Sequence, residues 1–223
     1  IVYLQDDNFR SHCAPPVTKN LPMFSQVKDH YASLGIDVEQ ALTTLANTPI
    51  SLHCWQGDDV GGFETGAGEL SGGLAVTGNH PGKARSLDEL RQDLDQVLKL
   101  LPGTHRLNLH AIYGDFQGQK VDRDAIETSH FQSWIDWAKS HGIGMDFNPS
   151  CFSHDKAGSG FTLSSPDAGI RDFWIEHCQR ARSIAAEMGK QLGSPAVTNV
   201  WVPDGMKDNP ADRQGYRQRL SDS

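Results

Sequence analysis

The strongest constraint on this chain is an alternation. Short apolar runs of strand length recur between longer segments whose apolar residues repeat every three or four positions. Residues 50–55, 106–113, 142–149 and 196–203 read as strands. Between them, Leu87, Leu90, Leu94, Val97, Leu98 and Leu101 share one helical face. Ile126, Phe131, Trp134, Ile135, Trp137 and Ala138 form a second, and Ile170, Phe173, Trp174, His177, Cys178, Ala181, Ile184, Ala185 and Met188 a third. Strands separated by such helices pair in parallel, because each crossover returns the chain to the same edge of the sheet. The fold class is therefore α/β. Periodicity alone leaves an open doubly wound sheet and a TIM (β/α)8 barrel both standing. A complete barrel uses eight βα units and ~250 residues, whereas this pattern supplies only about the first four.

Local signals place the ends of these elements. Residues 25–46 read as two helical segments broken at Gly35, the second capped by Asp37 with Gln40 three positions on. Ser86 and Glu89 have capping-box spacing, and Ser165-Pro166 reads as an N-cap and first-turn pair. Pro15, Pro16 and Pro22 interrupt the start, so residues 1–24 read as a disordered leader and residues 25–223 as the folded part.

Composition narrows the function classes. With 37% hydrophobic and 22% charged residues the chain is globular, and a net charge of -8 supplies no general field for nucleic acid. No apolar stretch approaches the ~20 residues of a membrane-spanning helix, and the opening lacks a signal-peptide pattern. A cytoplasmic protein with no nucleic-acid or membrane partner is expected. Cys13, Cys54, Cys151 and Cys178 are far apart in the chain and read as free thiols, with Cys54 and Cys151 buried. Zincin, C-x-x-C, nucleophile-elbow and Walker patterns are absent.

In either α/β architecture a ligand meets the carboxyl ends of the strands. There the sequence places His53, Trp55, Gln56, Asp58 and Asp59, then Asn108, His110 and Asp115, then Asp146 and Asn148, and finally Asn199, Trp201, Asp204 and Lys207. Carboxylates, amides and imidazoles bind sugar hydroxyls, and aromatic faces pack on the C–H side. His110 is the candidate for proton exchange, with a core histidine bonded to a carbonyl as the alternative. Asp58 and Asp59 offer hard oxygen ligands or turn chemistry. Trp55 and Trp201 are sugar platforms or core residues.

The blocks HCWQGDDVGGFE, TGNHPGKARSLDELRQDL, RLNLHAIY, MDFNPSCFSH, GFTLS, IRDFWIEHC and NVWVPDGMKD stand in an order that closely resembles the amino-terminal half of bacterial L-rhamnose isomerases, over roughly residues 25–220. The resemblance implies a xylose isomerase-like TIM barrel that interconverts L-rhamnose and L-rhamnulose, or a related aldose–ketose pair. It implies a divalent metal, usually Mn2+, and a homo-oligomeric, tetrameric assembly. Trp55 and His110 match positions lining the sugar pocket, with His110 bonding the sugar near its anomeric end and assisting ring opening. Asn148 and Trp201 lie in matching blocks and join the substrate-binding set, while the metal ligands belong to later strands. The expectation is thus an isomerase fragment inactive alone. A non-catalytic sugar-binding or self-assembling half-barrel module is the alternative. A glycosidase built on Asp58 and Asp204 is a more remote one. An open half-barrel should also leave Leu52, Ile112 and Phe147 facing water and be marginally stable.

Overall fold

A computed structural model describes residues 22–54, 62–64, 84–205 and 211–223. The chain divides into two compact units: residues 1–50 with 94–104, and residues 51–93 with 105–223.

The first unit holds helices α1 (Pro22–Ser33) and α2 (Val38–Asn47). Helix α1 begins inside the segment read as leader, because proline suits the first turn of a helix, where no N–H is needed. Gly35, at φ +79, makes the break between the helices. Asp37 caps α2 as expected, accepting the Gln40 N–H at 3.0 Å. No side chain of α2 is buried. Val27, Tyr31, Leu34, Leu42, Leu45, Leu100 and Leu101 are all exposed.

A three-stranded sheet, ordered β1 (Ile50–His53), β2 (His105–His110), β3 (Gly144–Asn148), crosses the second unit. Strands β2 and β3 are parallel, with Arg106 opposite Gly144 and His110 opposite Asn148. Helices α3 (Leu87–Leu100), α4 (Gln132–His141), α5 (Ala168–Leu192) and α6 (Arg213–Asp222) complete the elements. Alternation along the strands sends Leu107, Leu109, Met145 and Phe147 to one face, where all are buried. The Phe147 ring meets Phe131, just before α4, edge-on at 4.7 Å between centroids. Trp134, Ile135, Ala181, Ile184 and Met188 add the apolar faces of α4 and α5 to this core. At ~25 cal/mol per Å² of apolar surface, such burial is the main stabilising term.

Several expectations need correction. Residues 196–203 do not form a fourth strand. The segment runs beside β3, and the Phe147 N–H donates to the Val197 carbonyl at 3.0 Å. The return bonds, however, go to side chains: Asp146 Oδ1 accepts the Val197 N–H at 2.9 Å and Asn148 Oδ1 the Asn199 N–H at 2.8 Å. These side chains take the place of the ladder carbonyls, so the observed sheet has three strands rather than four. Strand β2 also ends early, at His110, and residues 111–113 turn into a 3-10 helix. Helix α4 starts at Gln132 after two 3-10 turns, so Ile126 and Phe131 precede it. Asp167, not Ser165, caps α5 through the Ile170 N–H. Ile112 and Phe147 are fully buried, because Phe147 alternates with the polar Asp146 and Asn148 and so takes the apolar face.

Candidate functional site

Alternation puts Asn108, His110, Asp146 and Asn148 together on the other face of β2 and β3, and all four are buried. Buried polar groups at this density must bond to one another or lose stability. At the amino-terminal side, Asp146 pairs with Arg106 Nη2 at 2.9 Å and Nε at 3.2 Å. It also accepts the Ser51 hydroxyl. Burial pushes its carboxyl pKa up, but Arg106, Ser51 and the Val197 N–H outweigh this and hold it below the usual carboxylate range. Asp146 is thus an ionised anchor that joins β3 to β1, β2 and the Val197 segment.

The carboxyl-terminal side is arranged differently. The Asn148 amide donates to Asn108 Oδ1 at 2.7 Å and lies 3.3 Å from His110 Nε2. An amide N–H facing Nε2 makes that nitrogen an acceptor and leaves the ring proton on Nδ1. His110 is 2% exposed, and its pKa is lowered to about 3, by burial first and then by His53 and Arg123. The imidazole is therefore uncharged at neutral pH. Its ring lies 5.8 Å from Phe152, which in turn lies 5.1 Å from Trp201. Trp201 is 39% exposed, so a row of rings leads from the buried histidine to the surface.

Three of the four expected substrate-binding residues are thereby linked, Asn148 to His110 directly and His110 to Trp201 through Phe152. Trp55, the fourth, lies outside the described residues, as do Asp58, Asp59 and Lys207. The other candidates are engaged elsewhere. Asp115 accepts the Ser133 hydroxyl at 3.0 Å. Asp204 is held by the N–H and hydroxyl of both Thr162 and Ser164. Trp174, read in the sequence as part of a helical face, is fully buried, its indole N–H donating to the Lys156 carbonyl at 3.3 Å.

Two residues that sequence reasoning missed hold the segment after β3. The buried Arg123 guanidinium pairs with both oxygens of Glu64, at 2.9 and 2.8 Å, and donates to the Ser150, Phe152 and Ser153 carbonyls. His177, on α5, accepts the Ser150 N–H at Nε2 and donates from Nδ1 to the Arg123 carbonyl, both at 2.8 Å. Burial, the largest effect, lowers its pKa to about 3, so it too is neutral. Together these groups fix Phe152 under His110. No local pattern marks Arg123 in the sequence, and His177 reads there only as one position of a helical face.

The array is a neutral imidazole, two amides and two aromatic faces. It suits hydrogen bonding and stacking against a polyhydroxylated ligand. Among the described residues no group of three His, Cys, Asp or Glu side chains could hold a metal ion.

A family model described as L-rhamnose isomerase (RhaA) matches residues 19–223. The L-rhamnose isomerase of Rhodopirellula baltica is 56% identical over 200 residues, 90% of this chain and 47% of that protein. Those of Shigella flexneri and Pectobacterium carotovorum subsp. carotovorum are 56% and 58% identical over 193 residues, 86% of this chain and 46% of each relative. The chain therefore spans about half the length of the curated relatives it matches.

Proposed function

Because this chain belongs to the L-rhamnose isomerase family, we propose that it supplies sugar-recognition residues to an enzyme that converts L-rhamnose to L-rhamnulose. Substrate and product are isomers, so the reaction needs ring opening, transfer of hydrogen from C2 to C1 and transfer of a proton from O2 to O1. The observation that carries this reading is the row that runs from Asn148 through His110 and Phe152 to Trp201 within a chain of this family. His110, held neutral, offers hydrogen bonding at the anomeric end of the sugar. Asn148 orients the imidazole, and Trp201 presents an aromatic face toward the surface, to which Trp55 would add a second.

The three parallel strands and their helices fit the opening of a TIM (β/α)8 barrel. The described residues do not fit a metal. Asp146 is committed to Arg106, and His110 and Asn148 are bonded to each other. The Mn2+ or other divalent ion that such an isomerase employs would be held by other residues. Cytoplasmic location and tetrameric assembly belong to the same proposal. No helix among the described residues is long and apolar enough to cross a membrane.

The test joins this chain to the remaining carboxyl-terminal part of the R. baltica relative and assays ketose formation from L-rhamnose with Mn2+. The joined protein should form ketose, and the chain alone should not. A cooperatively folded joined protein that forms none would overturn the proposal.

A further inference from the structure

Cys151 lies in the segment following β3 and Cys178 on α5, and although 27 positions separate them, their sulfurs are 3.9 Å apart. The residues just before them are bonded to each other, since the Ser150 N–H donates to His177 Nε2 at 2.8 Å. That bond and the packing of both cysteines with Ala157, Leu163, Phe173 and Trp174 keep the thiols in register. A disulfide needs ~2.05 Å between sulfurs, so side-chain rotation has only about 2 Å to close. The two thiols differ in access: Cys151 is fully buried and Cys178 partly buried. They also differ chemically. Cys178 is made more acidic, first by the hydrogen bond to Cys151 and then by Arg182, whereas that hydrogen bond and burial raise Cys151 well above the usual thiol range.

We propose that Cys151 and Cys178 form a reversible dithiol–disulfide site, oxidised by a hydroperoxide and reopened by a small thiol. Cys178 is the attacking sulfur and Cys151 the resolving one. The Cys178 sulfur attacks one peroxide oxygen, the O–O bond breaks, and the departing hydroxide leaves as water with the Cys178 proton. Cys151 then attacks the sulfenic sulfur. The S–S bond forms, the S–O bond breaks, and a second water leaves with the Cys151 proton. Two electrons pass from the thiols to the peroxide. The link would tie α5 to the chain three residues beyond Asn148. It is independent of the sugar-isomerase proposal.

The experiment treats the reduced native chain with one equivalent of hydrogen peroxide, alkylates remaining thiols, and maps tryptic peptides without reduction. The expected product joins the Cys151 and Cys178 peptides, lowers the chain mass by about 2 Da, and is reversed by dithiothreitol. Oxidation in denaturing urea should instead scatter among the pairings of Cys13, Cys54, Cys151 and Cys178. Cys178→Ser should abolish the link and leave Cys151 open to alkylation after unfolding. Cys151→Ser should leave Cys178 as a sulfenic acid captured by dimedone. Sulfinic acid at Cys178 beside an alkylatable Cys151 in the wild-type chain would overturn the proposal, as would the same mixture of pairings in native and denatured samples. Both readouts use the unsubstituted chain, so they stand even if a variant fails to fold.

Discussion

Helices α2 and α5 carry the same kind of apolar stripe, yet the structure treats them differently. Along α5, Phe173, Trp174, Ala181, Ile184, Ala185 and Met188 are buried, and their spacing meets the apolar face of β3 and the rings around α4. Along α2, Leu42 and Leu45 stand exposed, as do Val27 and Tyr31 of α1. Of the buried apolar side chains described, Leu94 alone belongs to the first unit. A helical period thus identifies the face that seeks cover without identifying what covers it. Stability should therefore reside in the second unit, and substitutions there should be felt throughout the chain.

The largest contrast is between core truncations. Trp174→Ala should cost ~3–5 kcal/mol, because it removes a large, fully buried ring. Leu42→Ala should cost less than ~0.5 kcal/mol, as befits an exposed position. Urea titration of both variants checks this, and equal costs would show that α2 and α5 are equally covered.

An acid dependence should follow from the second unit. His110 and His177 are buried neutral, each with its pKa lowered by burial from an ordinary 6.5 to about 3. Below 6.5 the unfolded chain binds protons that the folded chain refuses until about pH 3. Stability should therefore fall as pH drops through that window, by up to ~1.4 kcal/mol per pH unit for each histidine. His177→Gln should remove about half of that slope. Midpoints of urea unfolding between these limits measure it, and an unchanged slope would show that His177 is not held neutral.

Helix caps give the smallest and sharpest test. Asp167→Ala and Asp37→Ala each remove a side-chain acceptor at a helix start, worth ~1 kcal/mol. The first should lower the midpoint of global unfolding. The second should shorten amide protection in α2 and leave the global midpoint in place. Hydrogen exchange resolved by residue distinguishes the two outcomes.

Much of this was legible in the sequence because it follows from period and punctuation. Alternation in β2 and β3 separates Leu107 and Leu109 from Asn108 and His110, and the glycines at 142 and 193 close α4 and α5. What stayed hidden depends on long-range choices. Residues 196–203 have strand composition, but the Asp146 and Asn148 side chains capture their N–H groups. Phe152 sits past Pro149 in irregular chain, and only the Arg123 and His177 bonds, formed across distant segments, bring it beneath His110. Cys151 and Cys178 meet for the same reason. Of the candidate site, His110, Asn148 and Trp201 could be picked by their positions at strand ends, but the link between His110 and Trp201 through Phe152 could not.

The proposed function turns on His110, oriented by Asn148 and backed by Phe152, contacting the sugar of an L-rhamnose isomerase. Its most direct test is the steady-state rate of ketose formation by the joined protein described above, with and without His110→Gln. kcat/KM should fall ~100-fold or more, with cooperative unfolding retained. A His110→Gln protein with the parental kcat/KM would contradict it.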